Sequence, residues 1–177
     1  TERYQREFRN LSMDIMDARS HEDWQKIYLK LIQWELALEK SNDSGINEIL
    51  IQQKAEANKQ FGKFISKNYT DWLDSSGNEN PLMSQTLLKE RLFPLLGKHK
   101  TTFLIVIDNL RYDQWKAIEP YFRDLYDVSS DELYYAILPT ATQFARNALF
   151  SGLMPSQIAK KYPDLWIDEG EEGHKNQ

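Results

Sequence analysis

The sequence predicts an all-α helical bundle followed by the N-terminal part of an α/β domain, and two observations support this fold class. Glycine and proline are scarce over residues 1–97, where apolar residues recur every three or four positions, as in amphipathic helices. From Thr101 onward, apolar runs of strand length alternate with helical segments, which is the order expected of a parallel α/β sheet. We therefore expect a helical domain at 1–97 and an α/β domain at 98–177.

Composition narrows the classes of function. The chain has 177 residues, of which 41% are hydrophobic, and its net charge of −5 argues against a broad nucleic-acid-binding surface while leaving room for a small phosphate pocket. The chain has no cysteine, which excludes disulfides and thiolate metal sites. No apolar run approaches the roughly 20 residues that span a membrane, and the charged N-terminus lacks the apolar segment of a signal peptide. A cytoplasmic location is predicted.

Four helices are predicted in the first domain. Ser20 is followed three residues later by a carboxylate, a pattern close to a capping box, and opens the second helix. The turn sequence SNDSG at 41–45 precedes the third, and Asn80-Pro81 opens a fourth that ends near Phe93. The positions predicted to share an inner face are Tyr4, Phe8, Leu11 and Ile15 in the first helix, Trp24, Ile27, Leu31, Trp34 and Leu38 in the second, and Ile46, Leu50, Gln53, Ala57, Phe61, Phe64 and Ile65 in the third.

The second domain begins with the run TTFLIVID at 101–108, which is typical of a strand buried on both faces of a parallel sheet. Residues 111–123 are predicted as helix, 132–138 as a second strand, 142–151 as helix and Pro155–Tyr162 as a short helix. Two strands are too few for a stable sheet, so we expect the sheet to be incomplete and the chain to be a fragment.

A carboxylate, Asp108, ends the first predicted strand and is followed by Asn109. Ligands of open α/β sheets bind at the carboxyl ends of strands, where Asp108 could hold a divalent cation. The alternative is that Asp108 caps the helix that begins near Arg111.

Two threonines, Thr140 and Thr142, follow the second predicted strand and precede a helix. A helix N-terminus favours phosphate, and a threonine hydroxyl there can attack phosphorus if a base or a metal activates it. Arg146 and Asn147 lie one turn further on and could bind the substrate, as could Asn109. The alternative is that the threonines only cap the helix, or that Arg146 is a solvated surface residue.

Together, the two loops indicate one shared site, which neither loop indicates alone. Strands joined by right-handed crossovers point their carboxyl ends the same way, so Asp108 and Thr142 are expected to converge at one edge of the sheet. That arrangement predicts one end of a metal-assisted phosphoryl-transfer site, with Asp108 and Thr142 as metal ligands and Thr142 as the nucleophile. Thr140 is then the capping or supporting residue.

The motifs FLIVIDNLRYDQW and AILPTATQFARNALFSGLMP resemble the beginning of an alkaline-phosphatase superfamily domain, and most closely the PglZ domain of PorX-like response regulators. The resemblance implies a zinc-dependent phosphodiesterase or phosphatase for nucleotide-type phosphodiesters, with two zinc ions, Asp108 as a ligand and Thr142 as nucleophile. It also implies that residues 1–97 are the helical linker of a two-component regulator of type IX secretion in Bacteroidetes. The implied partners are a sensor histidine kinase, a secretion-motor protein, a sigma factor and a second copy bound through the helices.

The sequence departs from the superfamily in its histidines. Further aspartate and histidine ligands are expected in that superfamily, whereas His21, His99 and His174 have no ligand spacing in this chain. We therefore expect the chain by itself to be inactive and to bind zinc weakly or not at all. The alternative function is a non-enzymatic PglZ-type signalling scaffold that acts by dimerisation and partner binding.

Overall fold

The structure is a computed structural model that describes residues 2–39, 44–74, 80–98 and 101–166. Its contacts divide the chain into two compact units, one made of residues 1–80 and 107–130 and the other of 81–106 and 131–177. The predicted domain boundary between residues 97 and 98 stays a prediction. The α-helices are α1 (Glu2–Asp17), α2 (His21–Glu39), α3 (Ser44–Asp74), α4 (Tyr112–Arg123), α5 (Thr142–Ser151) and α6 (Pro155–Lys161).

The first unit contains α1 to α4, and α1, α2 and α3 pack against one another as the sequence predicts. The predicted capping box opens α2, since the Asp23 N–H donates to Ser20 Oγ at 3.2 Å and the Ser20 N–H donates to Asp23 Oδ2 at 3.0 Å. The turn predicted at 41–45 lies mostly outside the described residues, and α3 has begun at Ser44.

The core of the bundle consists of predicted inner-face residues, and the predicted side chain of Tyr4 lies outside the described part of the structure. Trp24 packs against Phe61 with ring centroids 5.3 Å apart and against Phe64 at 6.0 Å, so aromatic rings join α2 to α3. The predicted position Gln53 contributes a polar contact instead, because its Nε2 donates to Ser12 Oγ of α1 at 2.7 Å. The buried members of the core are Phe8, Leu11, Ile15, Trp24, Ile27, Leu31, Leu38, Leu50 and Ala57.

In the second unit, the predicted fourth helix from Asn80 to about Phe93 begins later than predicted, after Met83. Residues 82–84 are extended, because the Tyr135 N–H donates to Leu82 O at 2.8 Å and the Ser84 N–H donates to Tyr135 O at 3.1 Å. This parallel bridge between Met83 and Tyr135 uses backbone groups that a helix would need for itself. Helical bonding begins at Met83 O, which accepts from the N–H groups of Thr86 and Leu87. It continues through a π-helical segment at Leu88–Leu92 and a 3₁₀ turn at Phe93–Leu95.

The two predicted strands do not form a sheet in the part of the chain that the structure describes. Residues 101–107 have no ladder partner there, and their side chains are open to solvent, with Phe103 83% and Ile105 80% exposed. Of residues 132–138, Tyr135 forms the bridge to Met83, and Ile137 is fully buried. The described residues are therefore mainly helical, and an apolar run alone did not produce a strand because a strand also needs a partner.

The helices predicted in the second half are confirmed. The predicted range 142–151 is α5, 111–123 corresponds to α4, and the predicted helix at Pro155–Tyr162 is α6. Gly152 ends α5 in the left-handed conformation, with φ of 68°, and its N–H donates to Ala148 O at 3.0 Å. Among the described residues, no helix combines the length and the apolar character needed to cross a membrane.

Candidate functional site

The first part of the candidate site is the turn that carries Asp108. Asp108 is exposed, and its Oδ1 accepts a hydrogen bond from the Asn109 N–H at 2.9 Å. Asn109 has a φ of 60°, in the left-handed region that asparagine tolerates better than most residues. The N-cap of α4 is Arg111, and Gln114 Oε1 accepts from its N–H at 3.0 Å. Asp108 therefore lies ahead of the helix and does not cap it.

An ion pair fixes the first turn of α4. Arg111 Nε donates to Asp113 Oδ1 at 2.9 Å and Arg111 Nη2 donates to Asp113 Oδ2 at 2.7 Å, a bidentate arrangement. The hydrogen bond from Arg111 lowers the pKa of Asp113, and the same bond raises the pKa of Arg111. Sequence reasoning did not single out this pair, although the spacing of Arg111 and Gln114 is that of a helix start.

The second part of the candidate site is the N-terminus of α5. Thr142 is the first residue of the helix and is partly buried, and the N-cap is Ala141. In the described structure no side-chain hydrogen bond caps this end, so the prediction that Thr140 caps the helix is wrong. Since Ala141 O accepts from the N–H groups of Phe144 and Ala145, helical bonding begins there and the Thr142 hydroxyl lies beside the open end.

Arg146 and Asn147 lie on α5, four and five residues after Thr142. Residues four apart share a face of a helix, so Thr142 and Arg146 lie one above the other. Both Arg146 and Asn147 are partly buried. A cation one turn above a hydroxyl at a helix N-terminus is an arrangement that can bind an anion.

The predicted site residues fall into different units. Asp108 and Asn109 belong to the first unit, whereas Thr142, Arg146 and Asn147 belong to the second. The convergence of the two loops at one edge of a sheet stays a prediction.

The residues available for a metal do not make a complete site. Within the ranges that the structure describes, no group of three or more His, Asp or Glu side chains lies close enough to hold a metal ion. His21 contacts Glu22, with Nε2 and Oε1 3.2 Å apart, and His99 and His174 lie outside the described residues. Asp108 and Thr142 offer two oxygen donors, whereas zinc takes about four donors that include nitrogen or sulfur. The described residues by themselves therefore do not fit a zinc ion.

Comparison with known families identifies both halves of the chain. Residues 1–73 match the family model of the PorX response regulator linker domain. Residues 87–177 match the family model of the BREX system PglZ alkaline phosphatase-like domain, which includes the turn at Asp108 and the N-terminus of α5. No curated protein matches the chain.

Proposed function

Because the chain belongs to the family of PglZ alkaline phosphatase-like domains and carries a PorX-type linker ahead of that domain, we propose that it acts in a response regulator whose effector hydrolyses phosphodiesters or phosphomonoesters. The observation that carries the proposal is the PglZ match over 87–177, which covers both predicted loops. An alkaline phosphatase-like domain suggests metal dependence, and two zinc ions are the proposed cofactors.

The proposed nucleophile is Thr142. Its position as the first residue of α5 puts its hydroxyl where a helix favours a negatively charged phosphoryl group. The proposed substrate-binding residues are Asn109, Arg146 and Asn147, and Asp108 is the proposed metal ligand. A threonine hydroxyl is too weakly acidic to attack phosphorus unaided, so the site needs a base that accepts its proton or a metal that would lower the pKa of the hydroxyl.

The proposal includes a parallel sheet in the PglZ domain. We propose that residues 101–107 and 132–138 act as parallel strands of the PglZ domain, with Asp108 directly after the first and Thr140 two residues after the second. The apolar character of FLIVI supports the first strand, and the parallel bridge of Tyr135 to Met83 supports an extended conformation in the second.

Hydrolysis of bis-p-nitrophenyl phosphate tests the enzymatic proposal, with the natural protein assayed at its full length and with zinc added. We expect Thr142→Ala to lower kcat about 10³-fold or more, because it removes the atom that would bond to phosphorus. Thr142→Ser keeps that atom and is expected to retain measurable activity.

Thr140→Ala is the matched control, because it removes a neighbouring threonine hydroxyl outside the helix, and it is expected to lower kcat less than tenfold. Equal losses in Thr140→Ala and Thr142→Ala, or full activity in Thr142→Ala, would contradict the role of Thr142. A wild-type protein that binds partners but hydrolyses nothing would favour the scaffold function instead.

The partners follow from the regulator class and are proposed on that basis alone. They are a sensor histidine kinase, a secretion-motor protein and a sigma factor. The proposed regulated process is type IX secretion, and the proposed location of the regulator is the cytoplasm. A homodimer through the helical module is proposed as well. Sedimentation equilibrium of the chain tests the homodimer. A dimer with a dissociation constant on the order of micromolar would be the main species at about 100 µM, so a monomer at that concentration would overturn the proposal.

A further inference from the structure

Helix α4, which follows the Asp108 turn, packs on helix α2 of the linker within the first unit. The rings of Tyr28 on α2 and Tyr112 on α4 have centroids 6.1 Å apart and planes inclined by 51°. Such a tilted aromatic pair is attractive beyond the area that it buries. The contact falls on the first residue of α4, four positions after Asp108.

The short segment from Asp108 to Tyr112 has little freedom of its own. Asn109 donates to Asp108 Oδ1, the N–H of Arg111 donates to Gln114 Oε1, and the Arg111 carbonyl accepts from the Trp115 N–H at 2.9 Å. The bidentate pair with Asp113 holds the Arg111 side chain. The first of these bonds lies within the Asp108 turn and the others within the first turn of α4, so Asp108 is connected to that first turn through the short backbone segment between them.

Charged groups from the linker also act on this turn. Glu35 and Glu39 of α2 lie near enough to Arg111 to help raise its pKa, after the larger effect of Asp113. Glu35 in turn accepts from Lys54 Nζ of α3 at 2.7 Å. Burial raises the pKa of Tyr28, and the Asp113 carboxylate adds to the rise, which agrees with a Tyr28 side chain lying against the first turn of α4.

We propose that Tyr28 is a positioning residue, through which helix α2 of the linker holds the turn that carries Asp108. The inference rests on the proposed function only in assigning Asp108 to the effector site. It adds a route by which a change in the linker helices alters the proposed effector site, because the same helix belongs to the bundle core and contacts α4. The route consists of the Tyr28–Tyr112 contact and the charged groups around Arg111.

Hydrogen exchange of the 177-residue chain, followed by mass spectrometry of the peptide that covers 107–116, tests the contact. In Tyr28→Ala we expect this peptide to exchange about two- to tenfold faster, the factor that corresponds to losing one aromatic pair. Peptides from α1 and α3 are expected to keep their rates. Tyr28→Phe keeps the ring and is expected to exchange as the wild type does.

Tyr121→Ala is the matched control, because Tyr121 also lies on α4 but is 73% exposed, and it is expected to leave the 107–116 peptide unchanged. An unchanged 107–116 peptide in Tyr28→Ala would overturn the inference, as would a rate increase of the same size throughout the bundle. A Tyr28→Phe variant that behaves like Tyr28→Ala would also overturn the role of the ring.

A second measurement separates this inference from the proposed function. In the hydrolysis assay we expect Tyr28→Ala to lower kcat/KM about threefold or more, a loss that Tyr28→Phe avoids. If hydrolysis proves independent of Thr142 and Asp108 while the exchange result holds, the proposed function fails and the linker contact stands. If the exchange result fails while Thr142→Ala is inactive, the function stands and Tyr28 has no positioning role.

Discussion

At the scale of single residues, the start of α2 shows how local chemistry fixes a helix boundary. The Asp23 carboxylate accepts from the backbone N–H groups of Arg19 at 3.1 Å and Ser20 at 3.0 Å. These bonds favour the ionised carboxylate and lower the pKa of Asp23 below its ordinary value of 3.8. Ser20 returns a bond to the Asp23 N–H, so each residue satisfies a backbone group of the other.

We expect Ser20→Ala to lower the free energy of unfolding by about 1 kcal/mol, the typical cost of losing an N-cap side chain. Asp23→Asn is expected to be destabilising as well, and to reduce the loss of stability in acid. The sign follows from linkage. Below about pH 4, the unfolded chain binds a proton at Asp23 while the folded chain does not, so acid favours unfolding. The contribution is full above that pH and is lost as the pH falls through the folded-state pKa.

Urea unfolding between pH 6 and pH 3, followed by far-ultraviolet circular dichroism, measures both effects. Asp17→Asn is a control for the removal of one exposed carboxylate, because Asp17 lies at the end of α1. If Asp23→Asn keeps the wild-type slope of stability with pH, the capping carboxylate does not account for acid sensitivity.

At the scale of elements, helices with local signals were predictable and pairings between distant segments were not. The bounds of α5 follow from its own sequence, since Pro139 precedes it and Gly152 ends it. Residues 82–84 also carry helical signals locally, yet a bridge to Tyr135, more than fifty residues later, keeps them extended. No periodicity in either segment encodes that pairing, so the sequence predicted a helix there.

Two glycines with opposite backbone conformations give a matched pair of stability predictions. Gly152 has a φ of 68°, so Gly152→Ala is expected to destabilise the second unit by about 1 kcal/mol. A Cβ there would lie 3.5 Å from Gln85 O, an ordinary contact, so the backbone conformation sets the cost. Gly62 lies inside α3 with open space around it, so Gly62→Ala is expected to stabilise the bundle by about 0.5–1 kcal/mol.

Trp166 is stacked on Phe144 of α5, with ring centroids 6.3 Å apart, and its fluorescence reports on the second unit. Denaturant unfolding followed at Trp166, with the other four tryptophans replaced by phenylalanine as a common background, measures the effect of Gly152→Ala. Circular dichroism of the bundle measures that of Gly62→Ala. Equal and same-signed changes in the two variants would show that glycine entropy alone, and not the left-handed cap, controls both sites.

At the scale of the whole molecule, the sequence motifs predicted which residues belong to the candidate site. They did not predict the contacts that position those residues. Asp108 and Thr142 could be picked out because each follows an apolar run and precedes a helix. The contact between α2 and α4 was not predicted, because it joins a linker helix to a helix within the PglZ match. Tyr28 and Tyr112 are 84 positions apart in the sequence, and nothing in that spacing indicates that the two rings meet.

The exposed run at 103–107 decides between the predicted buried strand and the observed exposed segment. In the 177-residue chain, Phe103 and Ile105 are 83% and 80% exposed, and side chains of this size in a patch bind apolar dyes and promote association. The double variant Phe103→Lys, Ile105→Lys is expected to reduce anilinonaphthalene sulfonate fluorescence and self-association. Its free energy of unfolding is expected to change by less than about 0.5 kcal/mol per site, as for exposed positions.

Met16→Lys adds the same charge at another exposed apolar residue, 72% exposed on α1, and is expected to leave most of the dye fluorescence in place. In a strand buried on both faces, each lysine would instead place an unpaired charge among apolar side chains, at a cost of several kcal/mol. A double variant that unfolds, or that binds the dye as the wild type does, would therefore refute the exposed arrangement.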